Sequence, residues 1–423
     1  MNRILFHILT LTLILTGCRK DKDEVFPEID VQLPLTASGY QVPTNIPVRA
    51  VISDNREVEQ VVISLLDSDL LPTGNSMILA PGSREVTIDT ALYINSPKLG
   101  TGVYFVRIEA SDGTNLRSSH TEIQLTGIPR QVEGIYAILQ QGAGSVLAIA
   151  EPQGSTDLMS LNGTHTFAFC NSWDQQFIRG SGQLMSIEGI QADGYASIWQ
   201  ETSFSNSGNE NIGDAYYEPE EQRTWTVEGG TTVASYGANG RINAINVALN
   251  NHEIVQVAVN EELVITLQEP IGGGPVSLCT HFRNSGAFRH SVQPSWPAYD
   301  LGLLDDDEFL VLGSDQSSGG FYLYQAESNI LTPVGTMNPA YPVKLIKSGN
   351  GYLVLTDQGI GAWGGGYTQL VQGTFADVAY DELSQSFYAA AGSSIFHYDL
   401  QGNLLDTRTA SSTVEAVMVR YNR

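Results

Sequence analysis

Phe375-Ala376-Asp377-Val378-Ala379-Tyr380 turns at Asp381-Glu382 into Ser386-Phe387-Tyr388-Ala389-Ala390-Ala391, and then runs on into Ser394-Ile395-Phe396-His397-Tyr398. The order is strand, acidic turn, apolar strand, short turn, aromatic strand, because the apolar runs are short and are broken by turn-forming residues. Two earlier stretches share this order. Tyr299-Asp300-Leu301-Gly302-Leu303-Leu304 passes through Asp305-Asp306-Asp307 into residues 309–314 and then 320–324. Val343-Lys344-Leu345-Ile346 passes through Ser348-Gly349-Asn350-Gly351 into residues 352–356 and then 359–363. The three recur about 40 residues apart, which is the length of one four-stranded propeller blade. Residues 128–423 therefore predict a β-propeller of about seven blades, with six or eight left open. Between Asn171 and Leu301 the period is poor, so insertions or degenerate blades must be admitted, and a second sandwich beside a smaller β domain is the competing architecture.

The last stretch continues Asp399-Leu400-Gln401-Gly402-Asn403-Leu404. It resembles a blade of the NHL or YncE-like propellers, a likeness that covers this blade well and the other two loosely.

Working towards the N-terminus, residues 27–127 alternate apolar and polar positions with the period of a strand. Ile29, Val31 and Leu33 share one face, as do Val48, Ala50 and Ile52, then Val61, Ile63 and Leu65, then Val86 and Ile88. In Gly102-Val103-Tyr104-Phe105-Val106-Arg107-Ile108-Glu109-Ala110-Ser111-Asp112-Gly113, the residues Tyr104, Val106, Ile108 and Ala110 point one way, and Asp112-Gly113 makes a hairpin turn. About seven strands in roughly a hundred residues is a β-sandwich count. This strand and turn resemble those of immunoglobulin-like and fibronectin type III-like bacterial modules, which implies an architecture and no catalysis. Asp54 and Asp112 lack the clustered acids that would complete the six to eight oxygens of a calcium shell, so they read as turn formers. The fold class is all-β, a sandwich followed by a propeller, joined near Ile128-Pro129-Arg130.

At the start of the chain, Met1-Asn2-Arg3 precedes an almost wholly apolar run over residues 4–15 and then Thr16-Gly17-Cys18. A basic start, an apolar stretch and a small-residue exit make residues 1–17 a signal peptide, too short for the roughly 20 residues of a membrane span. Leu15-Thr16-Gly17-Cys18 resembles the lipobox of bacterial lipoproteins, which implies cleavage before Cys18 and acylation (palmitate-type chains) on its thiol and freed amine. Several acyl chains hold a protein to a membrane where one would not. Residues 18–26 are then a lipidated tether. Its run Arg19-Lys20-Asp21-Lys22-Asp23-Glu24 resembles the lysine-plus-acidic export signal of surface lipoproteins of the Bacteroidota, implying display on the outer membrane facing outwards. The periplasmic face is the alternative.

With 21 Lys and Arg against 46 Asp and Glu, the formal charge is −25. Such a surface repels phosphate backbones, so nucleic acid is not an expected partner. Beyond Cys18 only Cys170 and Cys279 remain, too few for a disulfide framework, and their pairing is left open.

No chemistry stands out. His281 and His290 lie near Cys279, yet the spacings fit no zinc or copper motif, and neither a metal nor a cofactor is predicted. Neither Gly272-Gly273-Gly274-Pro275 nor Gly364-Gly365-Gly366 is followed by the Lys-Ser or Lys-Thr of a phosphate cradle, so both read as turns. No Gly-x-Ser-x-Gly elbow occurs. The softest clue to binding is an aromatic crowd, Trp199, Tyr216, Tyr217, Trp225 and Tyr236, interleaved with Asn206, Asn209, Asn211 and Asp214. Aromatics beside amides and carboxylates suit a sugar face or a protein hot spot, and they also suit a blade core. Residues 203–211 form a polar loop that could reach from a propeller face. The expectation is a non-catalytic lipoprotein, attached to the membrane through Cys18, that binds an envelope protein or glycan. A propeller enzyme cleaving polysaccharide with paired carboxylates is the alternative.

Overall fold

The computed structural model describes residues 24–181, 186–202, 215–218, 223–294, 296–314, 319–337 and 341–423. The expected signal peptide, Cys18 and most of the expected tether lie outside them, as do Asn206, Asn209, Asn211 and Asp214. The chain divides into two compact units on either side of the Pro129–Arg130 bond. Among the described residues no helix is long and apolar enough to cross a membrane.

The first unit holds two sheets. Glu28–Leu33, Thr44–Val58 and Ser83–Ile94 make a three-stranded sheet. Ser38–Gln41, Leu116–Thr126, Gly102–Ser111, Gln60–Leu66 and Pro72–Leu79 make a five-stranded one. Ala50, Ile52 and Ile88 from the first sheet share one buried cluster with Ile63, Leu65, Val106, Ile108 and Ile123 from the second. The strict alternation of these strands is what lets one face of each sheet be apolar throughout. After Gly102–Ser111 the chain reverses at Asp112, whose Oδ1 accepts the amides of Thr114 at 2.7 Å and Asn115 at 2.5 Å, while Gly113 takes φ +82°, which favours glycine.

The second unit is a β-propeller. Its described residues form seven four-stranded antiparallel sheets. The first is built from Val132–Gln141, Gly144–Glu151 and Gly154–Leu161, completed on its inner side by the last strand of the chain, Val414–Tyr421. The second has His165–Asn171, Gln176–Ser181, Ser186–Gln191 and Ser197–Thr202; the third has Ala215–Glu218, Arg223–Glu228, Thr232–Gly237 and Gly240–Asn246. The fourth to seventh span 252–292, 298–337, 342–372 and 377–409. From the third sheet to the seventh, each leading strand touches that of the next sheet. The seventh touches Val414–Tyr421, which in turn touches His165–Asn171, and the second and third sheets meet through Ser197–Thr202 and Gly240–Asn246, so that the seven sheets follow one another in a ring.

Side chains reinforce this ring where innermost strands leave backbone groups without a ladder partner. Asp300 Oδ2 accepts the amide of Leu345 one sheet on, at 2.6 Å, and Asp377 Oδ2 accepts the amide of Val417 at 3.0 Å. These aspartates hold matching places in two of the three repeated stretches. The described residues of the region of poor period, 171–301, form four-stranded sheets and no second sandwich. Its buried positions include Arg179, Thr224, Thr226, Ser235, Thr266 and Gln268, so its strands are packed without reading as apolar.

Candidate functional site

A cleft of about 310 Å³ opens between the second and third sheets. It lies at the end of the strands where the turns 172–175, 192–196 and 238–239 reverse the chain. Ile198 and Trp199 supply its apolar wall, and Gln176, Gln191, Asn239 and Asp174 its polar groups.

The wall is fixed from behind. Trp199 pairs across the ladder with Gly189, and a Cβ at Gly189 would stand 2.3 Å from the indole, so only glycine leaves room for the ring there. Tyr236 stacks on the indole at 5.4 Å between centroids and 11° between planes. Trp199 Nε1 donates to Gln176 Oε1 at 3.3 Å, and Gln176 Nε2 donates to the carbonyl of Ala238 at 2.7 Å. Gln176 is only 4% exposed, so its amide joins the two sheets beneath the cleft. Asn171 Nδ2 donates to Asp174 Oδ2 at 3.1 Å, and Tyr217 Oη donates to Asn171 Oδ1 at 3.4 Å. By contrast, the side-chain amides of Gln191 and Asn239 are exposed and make no hydrogen bond among the described residues.

The five aromatics therefore divide. Trp199 lines the cleft, Tyr217 stands behind Asp174, and Tyr236 stands behind Trp199. Tyr236 is 0% exposed and its hydroxyl donates to Glu228, which Arg241 also meets, at 2.5 Å. Burial raises the Glu228 carboxyl above its usual range, an effect that Arg241 opposes. Trp225 is 1% exposed, donates to Glu218 Oε2 at 2.8 Å and lies under the Arg283 guanidinium at 5.0 Å. Tyr216 packs half-buried against the same core. The expected ligand face of five rings is corrected accordingly: Trp225 and Tyr236 are sealed core residues, because neighbouring sheets close over them. The signal that the sequence reading missed is the turn residues Asp174 and Asn239 and the strand-end residue Gln191, which converge only when the sheets stack.

The remaining chemically active groups are held inside the fold. Cys170 and Cys279 are both free thiols, and burial pushes each pKa up to about 12, so neither is a thiolate near neutrality. Ser386 Oγ and His397 Nε2 are 2.7 Å apart, but Ser386 is 2% exposed, bonded to Ser384, and the imidazole lies flat on Tyr388 at 4.2 Å. That pair secures a turn, with Asp381 taking both the Ser384 and Tyr421 hydroxyls. Among the described residues no three His, Cys, Asp or Glu side chains gather to hold a metal. Cys279 and His281 alternate with Thr280 along one strand. They therefore share one face, while Thr280 faces the other way beside His290 and the Tyr324 hydroxyl.

His281 is 2% exposed, its Nδ1 has no hydrogen-bond partner, and burial lowers its pKa to about 4. The unfolded chain takes up this proton as pH falls through about 6.5, whereas the folded chain does so only near 4. Stability should therefore fall across that window by on the order of 3 kcal/mol and then stop falling on this group's account. In denaturant titrations at a series of pH values, His281→Leu should flatten this part of the profile. An unchanged slope would show that His281 is not the group responsible.

No known family profile matches this chain, and no curated protein sequence matches it. Solved structures do. A protein of unknown function from Desulfotomaculum acetoxidans DSM 771 superposes with a TM-score of 0.51 at 12% identity, over 67% of this chain and 98% of its own. A quinonprotein alcohol dehydrogenase-like protein from Bacteroides thetaiotaomicron VPI-5482 has a TM-score of 0.49 at 10% identity, over 92% and 99%. The β-propeller domain of Cps50 (Swd1) from Myceliophteria thermophila has a TM-score of 0.46 at 8% identity, over 59% and 87%. At these identities the likeness extends to the propeller fold alone.

Proposed function

We propose that the chain is a lipid-anchored outer-membrane protein in which a β-sandwich follows the anchor and a seven-bladed propeller binds an envelope protein or glycan without transforming it. The observation that carries the binding reading is the cleft beside Trp199. Its wall is locked by stacking and hydrogen bonds, while the amides of Gln191 and Asn239 are left over for a ligand. A site whose groups are held in place before binding loses less entropy on capture. The buried acids, by contrast, are occupied: Glu218 by Arg283 and Trp225, Glu228 by Tyr236 and Arg241, Asp300 and Asp377 by backbone amides. This favours binding over hydrolysis by paired carboxylates, which needs acids facing a substrate.

Anchor and exposure rest on Leu15-Thr16-Gly17-Cys18 and the charged tether. In the native cell, labelled palmitate should enter the protein and be lost in Cys18→Ala, which should leave the membrane fraction. Protease added to intact cells should degrade the wild type. Complete protection until lysis would move the protein to the periplasmic face, and a membrane-bound Cys18→Ala would remove the lipid anchor from the account.

A further inference from the structure

We propose that the cleft between the second and third sheets is a binding site for a neutral sugar unit, recognised by the amides of Gln191 and Asn239 and the carboxylate of Asp174 against the Ile198 and Trp199 wall. This deepens the binding reading above and rests on it.

The chemistry of the lining selects the ligand. Amides offer both donors and acceptors in one plane, and Asp174 adds acceptors, which matches hydroxyl groups that both give and take hydrogen bonds. Among the described residues no Lys or Arg lines the cleft, and Asp174 brings negative charge, so phosphate, sulfate and acidic sugars are disfavoured. A bare cation is poorly served as well, since a calcium ion needs six to eight oxygens and only one carboxylate is present, with an oxygen already bonded to Asn171. Ile198 is 45% exposed and, with the indole, gives an apolar strip beside the polar groups, the pairing that a pyranose presents with its C–H faces and its hydroxyl rim.

Size points the same way. At about 310 Å³ the cleft is at the lower end for small ligands, room for one sugar unit and not for a long chain. Because Tyr236 already stacks on the indole, the wall is rigid, and the sugar meets what the stack leaves uncovered.

Gln191 and Asn239 make the test clean, because neither side chain makes a hydrogen bond among the described residues. Calorimetric titration of purified residues 24–423 with neutral oligosaccharides of glucose, mannose, galactose and N-acetylglucosamine should find at least one that binds. The double variant Gln191→Ala, Asn239→Ala should weaken that binding on the order of tenfold or more, as expected for two lost hydrogen bonds. Asn239→Trp, which fills the cleft from an exposed turn, should abolish it, with both variants unfolding at the wild-type denaturant midpoint. Oligosaccharide binding unchanged in both variants would overturn this site and leave the wider binding reading standing. So would capture of an envelope protein with no sugar bound. Failure to bind either class would overturn both.

Discussion

A chain ending at Ser412 is expected to fail to form the propeller. The strand it lacks, Val414–Tyr421, is the innermost strand of the first sheet, in register from Val414 opposite Leu139 to Tyr421 opposite Val132. It buries Val414, Val417, Met418, Val419 and Tyr421. At about 1.5–3 kcal/mol for each large apolar side chain, their burial contributes on the order of 10 kcal/mol. That is comparable with the whole stability of an ordinary domain, about 5–15 kcal/mol. Truncation also exposes two strand edges and removes the acceptor-held amide of Val417, the Arg420 contacts to Gln175, and the Tyr421 hydroxyl bond to Asp381. All five tryptophans lie beyond residue 130, so tryptophan emission reports on the second unit alone. The truncated chain should emit at the wavelength of the denatured protein, while proteolysis releases a resistant first unit, whose core is its own. Native emission from the truncated chain would show that ring closure is dispensable.

Glu218→Ala should be the most damaging single substitution among the charged residues. Glu218 and Arg283 are 4% and 5% exposed at their side chains and meet through two bonds, Arg283 Nη1 to Oε1 at 2.6 Å and Nη2 to Oε2 at 3.1 Å. Removing the acid takes both of these bonds from a buried guanidinium and leaves the Trp225 N–H without its acceptor. Breaking a buried pair from one side typically costs about 3–5 kcal/mol. Asp89→Ala is the contrasting case. Its partner Arg49 is 48% exposed, Asp89 itself 66%, and such surface pairs are worth about 0–1 kcal/mol. Urea titrations of both variants should show a large drop in midpoint for Glu218→Ala and almost none for Asp89→Ala. Equal midpoints would mean that water reaches Arg283.

The parts of this fold that could be read from sequence are those where burial is written in apolar residues. Tyr104, Val106, Ile108 and Ala110 alternate in the sequence and point inward in the structure, and the fifth to seventh sheets carry continuous runs such as Phe309 to Leu312 and Phe387 to Ala390. The second to fourth sheets were obscure for a physical reason. Arg179 is 1% exposed, with its Nη1 bonded to Glu188 and its Nη2 to the carbonyls of Asn162 and Gly163, and Thr224, Thr226 and Ser235 are buried as well. A pattern search sees polar residues there.

The candidate site was half legible. Trp199 could be picked out as an aromatic in a polar region, but its neighbours could not, because Asp174 and Asn239 sit in ordinary turns and Gln191 at a strand end, up to 65 residues apart, and they meet only through the stacking of two sheets. The same stacking removed Trp225 and Tyr236 from the candidates, since the sequence distinguishes an aromatic that faces solvent from one under a neighbouring sheet only when the topology is known.

The central claim, capture without chemistry, is tested most directly by one paired measurement. The purified protein is run through gels containing neutral polysaccharides, and each polysaccharide that retards it is then incubated with the protein and assayed for new reducing ends. The account predicts retardation of the wild type, recovered mobility in Gln191→Ala, Asn239→Ala, and no release of reducing ends. Release of reducing ends that disappears when a pair of surface carboxylates is replaced by amides would contradict it and make the propeller an enzyme.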